Sequence, residues 1–187
     1  MLRDFVSEYA ALLGQGTVDT LVMLFLSTVI AYVLGIAGGV VLHLTAPGGL
    51  RPVPVLNAVL GWVVNIGRSL PFIILLVVLI PFTRAVAGTS TGVRGVIVPL
   101  VVSTAPFVAR MIEQSLAEVG HDSVEAAEAC GASIPRIVWS ALLPEALPSI
   151  VRGVAVTLIA VLGYTAIAGA VGAGGLGDIA IRYGHDR

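Results

Sequence analysis

Residues 125–148 read EAAEACGASIPRIVWSALLPEALP, a stretch with three glutamates, one arginine and three prolines inside an otherwise apolar chain. The chain of 187 residues is 57% hydrophobic and 11% charged, with a mean hydropathy of +1.03. Soluble domains carry about a quarter charged residues, so this composition indicates an integral membrane protein. The stretch therefore interrupts lipid-compatible sequence, and we interpret it as a rigid polar segment that a second protein receives.

The first half of this stretch predicts one short helix. Ser123 can cap a helix that begins at about residue 124, and Glu125 would then lie in its first turn, near the positive end. The Glu-Ala-Ala-Glu-Ala run contains good helix formers, and Gly131 follows it where a glycine commonly ends a helix. The single cysteine, Cys130, excludes an internal disulfide and is interpreted as a small buried side chain.

The second half predicts another short helix at an angle to the first. Ser133 offers a cap, and Pro135 would lie just inside the helix, where a missing N–H is tolerated. Pro144 should prevent that helix from continuing unbroken, and Pro148 precedes the next apolar segment. Four residues at helical spacing form one apolar side: Ile134, Ile137, Val138 and Ala141.

Apolar segments of sufficient length indicate about four transmembrane helices, since one span needs about 20 residues. They cover residues 20–44, 55–82, 96–112 and 150–171. Residues 55–82 are too many for a straight span, so we expect a tilted or broken helix with a kink near Pro71. The third segment contains two prolines and is expected to pack inside protein. The connections at 43–54 and 83–95 are predicted to be loops.

Two further features concern helix packing and the beginning of the chain. Gly35 and Gly39 lie four apart, which either lets another helix approach closely or reflects the tolerance of membrane helices for glycine. Residues 1–19, which include Asp4 and Glu8, are predicted to form a short amphipathic helix at the membrane interface rather than a removable signal peptide. A membrane region would follow over residues 20–187, with a polar loop at 113–148.

The stretch 125–144 resembles the EAA loop of bacterial ABC-importer permeases. That family's pattern is Glu-Ala-Ala, three residues, Gly, nine residues, Ile, one residue, Leu-Pro. Position 141 is alanine where the family usually has isoleucine or another larger aliphatic residue. The positions that match in register are Glu125, Ala126, Ala127, Gly131, Leu143 and Pro144.

Longer stretches narrow the resemblance to the methionine-uptake (MetI-like) permeases. They read NIGRSLPFIILLVVLIPFTR (65–84), APFVARMIE (105–113), LLPEALP (142–148) and GYTAIAGAVGAGGLG (163–177). The resemblance implies an all-α polytopic protein of the bacterial inner membrane with the type I ABC importer permease fold, in which the polar loop is a cytoplasmic coupling-helix loop. The residues it implies for coupling to an ATPase are Glu125, Ala126, Ala127, Gly131, Ala141, Leu143 and Pro144.

The resemblance also implies partners and a cargo. The permease would form a homodimer in the lipid bilayer, bind two cytoplasmic ATPase subunits that hold ATP and Mg, and receive L- or D-methionine from an external methionine-binding lipoprotein. Family members usually continue into a fifth span, whereas this sequence ends at Arg187 in a polar tail, so we expect a truncated or partial chain. With the loop inside the cell, more arginines fall outside than inside, an arrangement that the positive-inside rule does not favour.

Outside the loop, two groups of residues are candidate functional positions. Arg68 either helps to shape the translocation path, together with Ser69 and Pro71, or snorkels to the membrane interface. The glycine-rich run 169–177 can hinge a gate or simply end a helix, and its candidates are Gly172, Gly174, Gly175 and Gly177. A solvated face is predicted for Glu113, Glu118 and Asp122. No metal is assigned, because no pair has metal-ligand spacing among His43, His121 and His185.

The sequence also excludes several classes of function. It contains no lysine and therefore no phosphate-binding loop ending in Gly-Lys-Ser/Thr, so a partner must supply the energy for transport. A net charge of −1 provides no basic field for nucleic acid, and no arrangement of nucleophile and base indicates an enzyme. The main hypothesis is a permease subunit for methionine. The alternatives are a permease for another small amino acid or nutrient, a transporter or channel that works alone, and an incomplete, non-transporting membrane scaffold.

Overall fold

The computed structural model of this chain describes residues 2–185, and it describes side chains for residues 9–184. The predicted all-α class is confirmed over that range. The side chains of Asp4, Glu8 and His185 lie outside the described ones. The helices are α1 (Leu2–Thr45), α2 (Pro54–Ser69), α3 (Phe72–Val78), α4 (Ile80–Ala87), α5 (Gly92–Ala117), α6 (His121–Ala129), α7 (Ile134–Ile137), a π-helical turn (Val138–Leu142), α8 (Leu143–Gly169) and α9 (Gly175–His185).

Within the described residues, three helical stretches are long and apolar enough to cross a membrane: Tyr9–Thr45, Gly92–Ala117 and Ile134–Gly169. Helices α2 and α3 are separated by a bend of 104°. If they are taken together as one broken span, the count rises to four. Pro71 is the N-cap of α3, so the predicted break near this proline is confirmed. A second interruption at Leu79, just before Pro81 in the first turn of α4, was not predicted.

Several predicted boundaries were wrong because the helices are longer than the sequence indicated. Helix α1 runs without a break through residues 19 and 20, so the N-terminal segment is not a separate short helix, although its place at the interface stays a prediction. Most of the predicted loop 83–95 is helical, since only residues 88–91 lie between α4 and α5. The polar tail after residue 177 forms most of α9.

Contacts between residues group the chain into two compact units. The first takes its described residues from Met1–Ile30, Leu70–Thr104 and Leu158–Arg187. Its core contains Met23, Leu24, Phe72, Leu76, Val96, Leu100, Val161, Ala168 and Ala173. The second unit consists of Ala31–Ser69 and Ala105–Thr157, and it contains the whole polar stretch.

In the second unit, glycines of α1 allow very close packing against α5. A Cβ atom built on Gly39 would lie 2.6 Å from the carbonyl oxygen of Ala109 and 2.6 Å from Cβ of Ile112, and one built on Gly35 would overlap Val108. The close-approach interpretation of the two glycines is therefore confirmed. Burial agrees with the packing expected for α5, because 56% of an apolar 18-residue part of this helix is buried, against 33% and 28% for the corresponding parts of Tyr9–Thr45 and Ile134–Gly169.

Candidate coupling site

The polar stretch lies over an apolar cluster of the second unit. Helix α5 supplies Val108, Ile112 and Leu116 to this cluster. The turn of α7 and the π-helical turn supply Ile137, Val138, Ala141 and Leu142, all of them buried. The predicted apolar side of the second short helix is therefore confirmed. Half-buried residues of α1 complete the cluster: Tyr32, Ile36, Val40 and Leu44.

Helix α6 presents Glu125 and Ala126 of the Glu-Ala-Ala motif on its outer side and turns Ala127 inward. Val124 and Ala127 pack against the cluster, whereas Glu125, Ala126 and Glu128 are exposed. These two inward-facing side chains are small. They are three residues apart, which places them on the same side of a helix. The motif thus combines a narrow apolar anchor with an acidic outer face.

The beginning of α6 differs from the prediction. The helix starts at His121 with Gly120 as its N-cap, so Ser123 lies inside the first turn and is not a cap. The acidic residue of the first turn is Asp122, and Glu125 lies one turn further on. Since the dipole effect fades beyond the first turn, the predicted dipole contact of Glu125 was wrong.

The end of α6 agrees with the prediction. Gly131 has φ of +71°, and its N–H donates to the carbonyl oxygen of Glu128 at 2.8 Å. The N–H of Ala132 donates to the carbonyl oxygen of Ala127 at 3.1 Å. This pair of bonds is a Schellman motif, which satisfies carbonyls that a helix end leaves free. It also sets the direction in which the chain leaves α6.

Cys130 is exposed, so its interpretation as a buried side chain was wrong. The physical reason is the shortness of α6, which buries only a narrow side. Cys130 caps the C-terminus of the helix away from that side.

Gly131→Val is expected to impair coupling much more than Gly131→Asn. A left-handed backbone costs a residue with a Cβ roughly 1–2 kcal/mol, whereas asparagine adopts it with less strain. No atom lies within 4 Å of a Cβ built on Gly131, so crowding within the chain contributes nothing. ATP-driven uptake by the two variants in vesicles checks the expectation. Equal impairment by valine and asparagine would contradict the conformational explanation.

Helix α7 begins where the sequence indicated, but without the predicted side-chain cap. Ser133 is the N-cap residue, with φ of −70° and ψ of 154°, yet its side chain makes no capping hydrogen bond. Pro135 lies in the first turn, as predicted. A cap contributes about 1 kcal/mol, less than the roughly 1.5–3 kcal/mol from burying a side chain such as Ile137 or Leu142. Packing therefore holds this turn in place.

Pro144 does not end the second helix, in contrast to the prediction. Helical backbone continues from α7 through the π-helical turn into α8, with Pro144 in the first turn of α8 and Pro148 inside it. The N–H of Leu143 donates to the carbonyl oxygen of Val138, five residues earlier, as in a π-helix. Because a proline ring presses on the preceding turn, such a widened turn accommodates it without a break.

The predicted coupling residues fall into two groups by exposure. Ala141 is buried, and Ala127 and Leu143 are half-buried, so these three position the segment from within. The exposed members, which a partner can reach, are Glu125, Ala126, Gly131 and Pro144. Glu125 also borders an open groove of about 570 Å³ that the loop 46–50 lines on its other side.

The predicted path residues are all exposed. Arg68 lies in the last turn of α2, where a cation complements the helix dipole, and Ser69 donates through Oγ to the carbonyl oxygen of Asn65 at 2.8 Å. Pro71 precedes α3. No contact among the described residues assigns them a transport role, which stays a prediction.

The glycine-rich run forms a tight connection from α8 to α9 in the first unit. Gly172 has φ of +85°, and the N–H of Ala173 donates to the carbonyl oxygen of Ala168 at 3.2 Å, so this glycine ends α8. Gly174 and Gly175 also have positive φ, and a Cβ on Gly177 would lie 2.6 Å from the carbonyl oxygen of Ala166. The helix-ending interpretation is confirmed for Gly172, and a gating role stays a prediction.

The sequence analysis did not predict the hydrogen-bonded contact between α2 and α5. Arg110 pairs with Glu113 and donates from Nη2 to Oδ1 of Asn65 at 3.0 Å. Glu113 is therefore half-buried and paired rather than solvated, whereas Glu118 and Asp122 are exposed as predicted. The missed signal was the three-residue spacing of Arg110 and Glu113 on one helix.

Among the described residues, no group of three or more His, Cys, Asp or Glu side chains could hold a metal ion. His43 and His121 border the groove beside α6 but belong to no such group.

Comparisons with known proteins agree with this geometry. The family described as binding-protein-dependent transport system inner membrane component matches residues 35–183. The probable D-methionine transport system permease protein MetI of Vibrio cholerae is 49% identical over 176 residues, which are 94% of this chain and 78% of the relative. The D-methionine permease MetI of Escherichia coli K12 is 49% identical over 158 residues, 84% of this chain and 73% of the relative.

The fold agrees as closely as the sequence. An inward-facing structure of the MetNI methionine ABC transporter superposes with a TM-score of 0.91 at 49% identity, covering 93% of this chain and 81% of that one. The fold is therefore that of a type I ABC importer permease, and the membrane-length helices make the chain a multi-pass protein of the inner membrane. The chain belongs to the family of binding-protein-dependent transport system inner membrane components, among its MetI-like permeases.

Proposed function

We propose that this chain is the membrane-spanning subunit of an ABC importer for methionine, and that a separate ATPase drives it through the coupling segment 113–148. The observation that carries the mechanism is the geometry of α6. Its outer face presents Glu125 and Ala126 to a partner, while its inner face rests through Val124 and Ala127 on the core of the second unit. The cargo is inferred from the relatives named D-methionine permeases.

The segment is built to transmit displacement. Val124 and Ala127 contact the same cluster as Leu116 of α5 and Leu142 of the π-helical turn that leads into α8. Close-packed side chains resist compression, so a push on α6 moves these two helices rather than being absorbed. The Schellman end at Gly131 fixes the angle between α6 and α7. Closure of two ATPase subunits on ATP would then tilt the membrane helices of a permease homodimer.

The charge of the segment specifies the kind of surface that receives it. Residues 113–148 contain one arginine, Arg136, against six acidic residues: Glu113, Glu118, Asp122, Glu125, Glu128 and Glu145. A basic groove on the ATPase would complement the outer face of α6, on which Asp122, Glu125 and Glu128 are exposed. The ATP and Mg are held by the ATPase subunits, and an external methionine-binding lipoprotein delivers the cargo.

Uptake of labelled L- and D-methionine into vesicles tests the proposal. The vesicles contain this chain, its ATPase and its binding protein, with ATP on the ATPase side. We expect methionine uptake that stops when the ATPase, ATP hydrolysis or the binding protein is removed. A different labelled amino acid should not be taken up. Uptake without the ATPase would favour a transporter that works alone. No uptake by an assembled complex would favour a scaffold.

A further inference from the structure

One exposed aromatic side chain within the coupling segment takes no part in the proposed coupling. Trp139 lies in the π-helical turn and is 75% exposed, whereas Ile137 and Val138 just before it are buried. Leaving an indole ring in water loses the free energy that burying its large apolar surface would provide. We therefore expect apolar groups to cover Trp139 in the native membrane.

The surface that continues from Trp139 along α8 is apolar. In the second unit it contains Leu147 and Val151, which are 55% and 58% exposed. In a regular α-helix, residues eight apart point about 80° away from each other. The wider π-helical turn removes much of that offset, so Trp139 lies close to the line of Leu147.

Lipid is the neighbour that this surface fits. An apolar 18-residue part of the stretch Ile134–Gly169 is only 28% buried, less than the corresponding parts of the other two membrane-length helices, and the family resides in the inner membrane. Tryptophan concentrates where acyl chains meet headgroups, since its ring is apolar and its N–H is polar. Trp139 lies near the polar beginning of this membrane-length helix, which is where that boundary would fall.

Charge separates the lipid side from the partner side. Arg136, one turn before Trp139, is exposed and can approach anionic headgroups. The outer face of α6 carries Asp122, Glu125 and Glu128, which such headgroups repel. The acidic face therefore suits a basic protein groove, and the Arg136–Trp139 face suits a phospholipid surface.

We propose that Arg136 and Trp139 seat the beginning of the Ile134–Gly169 helix in the headgroup layer of the bilayer and thereby fix the depth of the coupling segment. The ring of Trp139 contacts the upper acyl chains, and the guanidinium of Arg136 contacts lipid phosphate. A push on α6 then acts against a helix that is held at one depth. This lipid contact depends on the membrane location of the family and not on the identity of the cargo.

The two tryptophans of the chain, Trp62 and Trp139, make this contact measurable. The Trp62→Phe chain, with Trp139 as its only tryptophan, is reconstituted in phosphatidylcholine and phosphatidylglycerol vesicles. The lipids carry bromine either near the glycerol or near the terminal methyl of the acyl chain, and the ATPase is present or absent. Trp139→Phe, which reports Trp62 alone, is the matched control.

We expect Trp139 to lose more emission to the shallow bromines than to the deep ones, and addition of the ATPase to leave that loss unchanged. Equal or stronger loss to the deep bromines would overturn the proposed depth. No loss to either lipid would mean that protein or water covers Trp139. Recovery of emission when the ATPase binds would make the side chain part of the ATPase interface. Because the readout is fluorescence without transport, it is independent of the methionine proposal.

Discussion

Glu125→Lys is expected to abolish ATP-driven uptake and to weaken ATPase binding by at least about tenfold, which corresponds to about 1.4 kcal/mol. Glu125 is exposed on the outer face of α6, so a reversed charge there would oppose a basic groove of the ATPase. Because α6 begins at His121, Glu125 lies beyond the first turn and its charge contributes little to helix stability. The variant should therefore fold normally and lose only the partner contact.

Co-purification of the ATPase and uptake by vesicles measure the two effects of this change. Glu118→Lys is the matched control, since it makes the same charge change on an exposed residue of the segment outside the motif. It should shift binding by no more than about 0.5 kcal/mol, as surface substitutions generally do. Wild-type ATPase binding and uptake by Glu125→Lys would show that this side chain has no coupling role.

Gly39→Leu is expected to disrupt the second unit itself. A Cβ at this position would lie 2.6 Å from the carbonyl oxygen of Ala109, and a backbone atom cannot move aside as the end of a side chain can. Helices α1 and α5 must then separate, at a cost of about 1–3 kcal/mol or more for overpacking. The thermal unfolding midpoint of the detergent-solubilised protein should fall, together with its yield in the membrane.

Gly163→Leu provides the matched control for this substitution. Gly163 lies in α8, is exposed, and has no atom within 4 Å of a Cβ built on it. The thermal unfolding midpoint of the Gly163→Leu variant should stay close to that of the unchanged chain. Equal midpoints for Gly39→Leu and Gly163→Leu would contradict the close contact between α1 and α5.

Features that depend on one or two neighbouring turns were predictable from the sequence. The Schellman end at Gly131 needs a glycine at one position, and the break at Pro71 needs a proline at another. The apolar side of α7 and the π-helical turn followed from spacing alone, because Ile134, Ile137 and Val138 recur at helical intervals. Each of these three features is determined by residues within one or two helical turns of each other.

Features that depend on tertiary contacts were not predictable in the same way. Ser123 has the right chemistry for a cap, but α6 begins two residues earlier, and Val124 of the helix packs against the apolar cluster. Pro144 normally ends a helix, yet the buried residues on both sides of it keep the backbone helical, and a π-helical turn absorbs the ring.

The functional residues divide along the same line. The spacing of Glu125, Gly131 and Pro144 was enough to predict a coupling segment from the sequence. The exposure of Trp139 and the pairing of Arg110 with Asn65 depend on which side of a helix the core occupies. Which side of each helix faces the core is determined only by the packing of α1, α2, α5 and α8.

Labelling of Cys130 tests whether the coupling segment faces the cytoplasm and whether an ATPase covers α6 and its C-terminal end. Cys130 is the only cysteine of the sequence, is exposed and lies beside Gly131, so a membrane-impermeant maleimide reports on the segment without any substitution. We expect labelling in inside-out vesicles stripped of the ATPase, protection when the ATPase is bound again, and no labelling in right-side-out vesicles. Labelling from the external side, or undiminished labelling with the ATPase bound, would contradict this expectation.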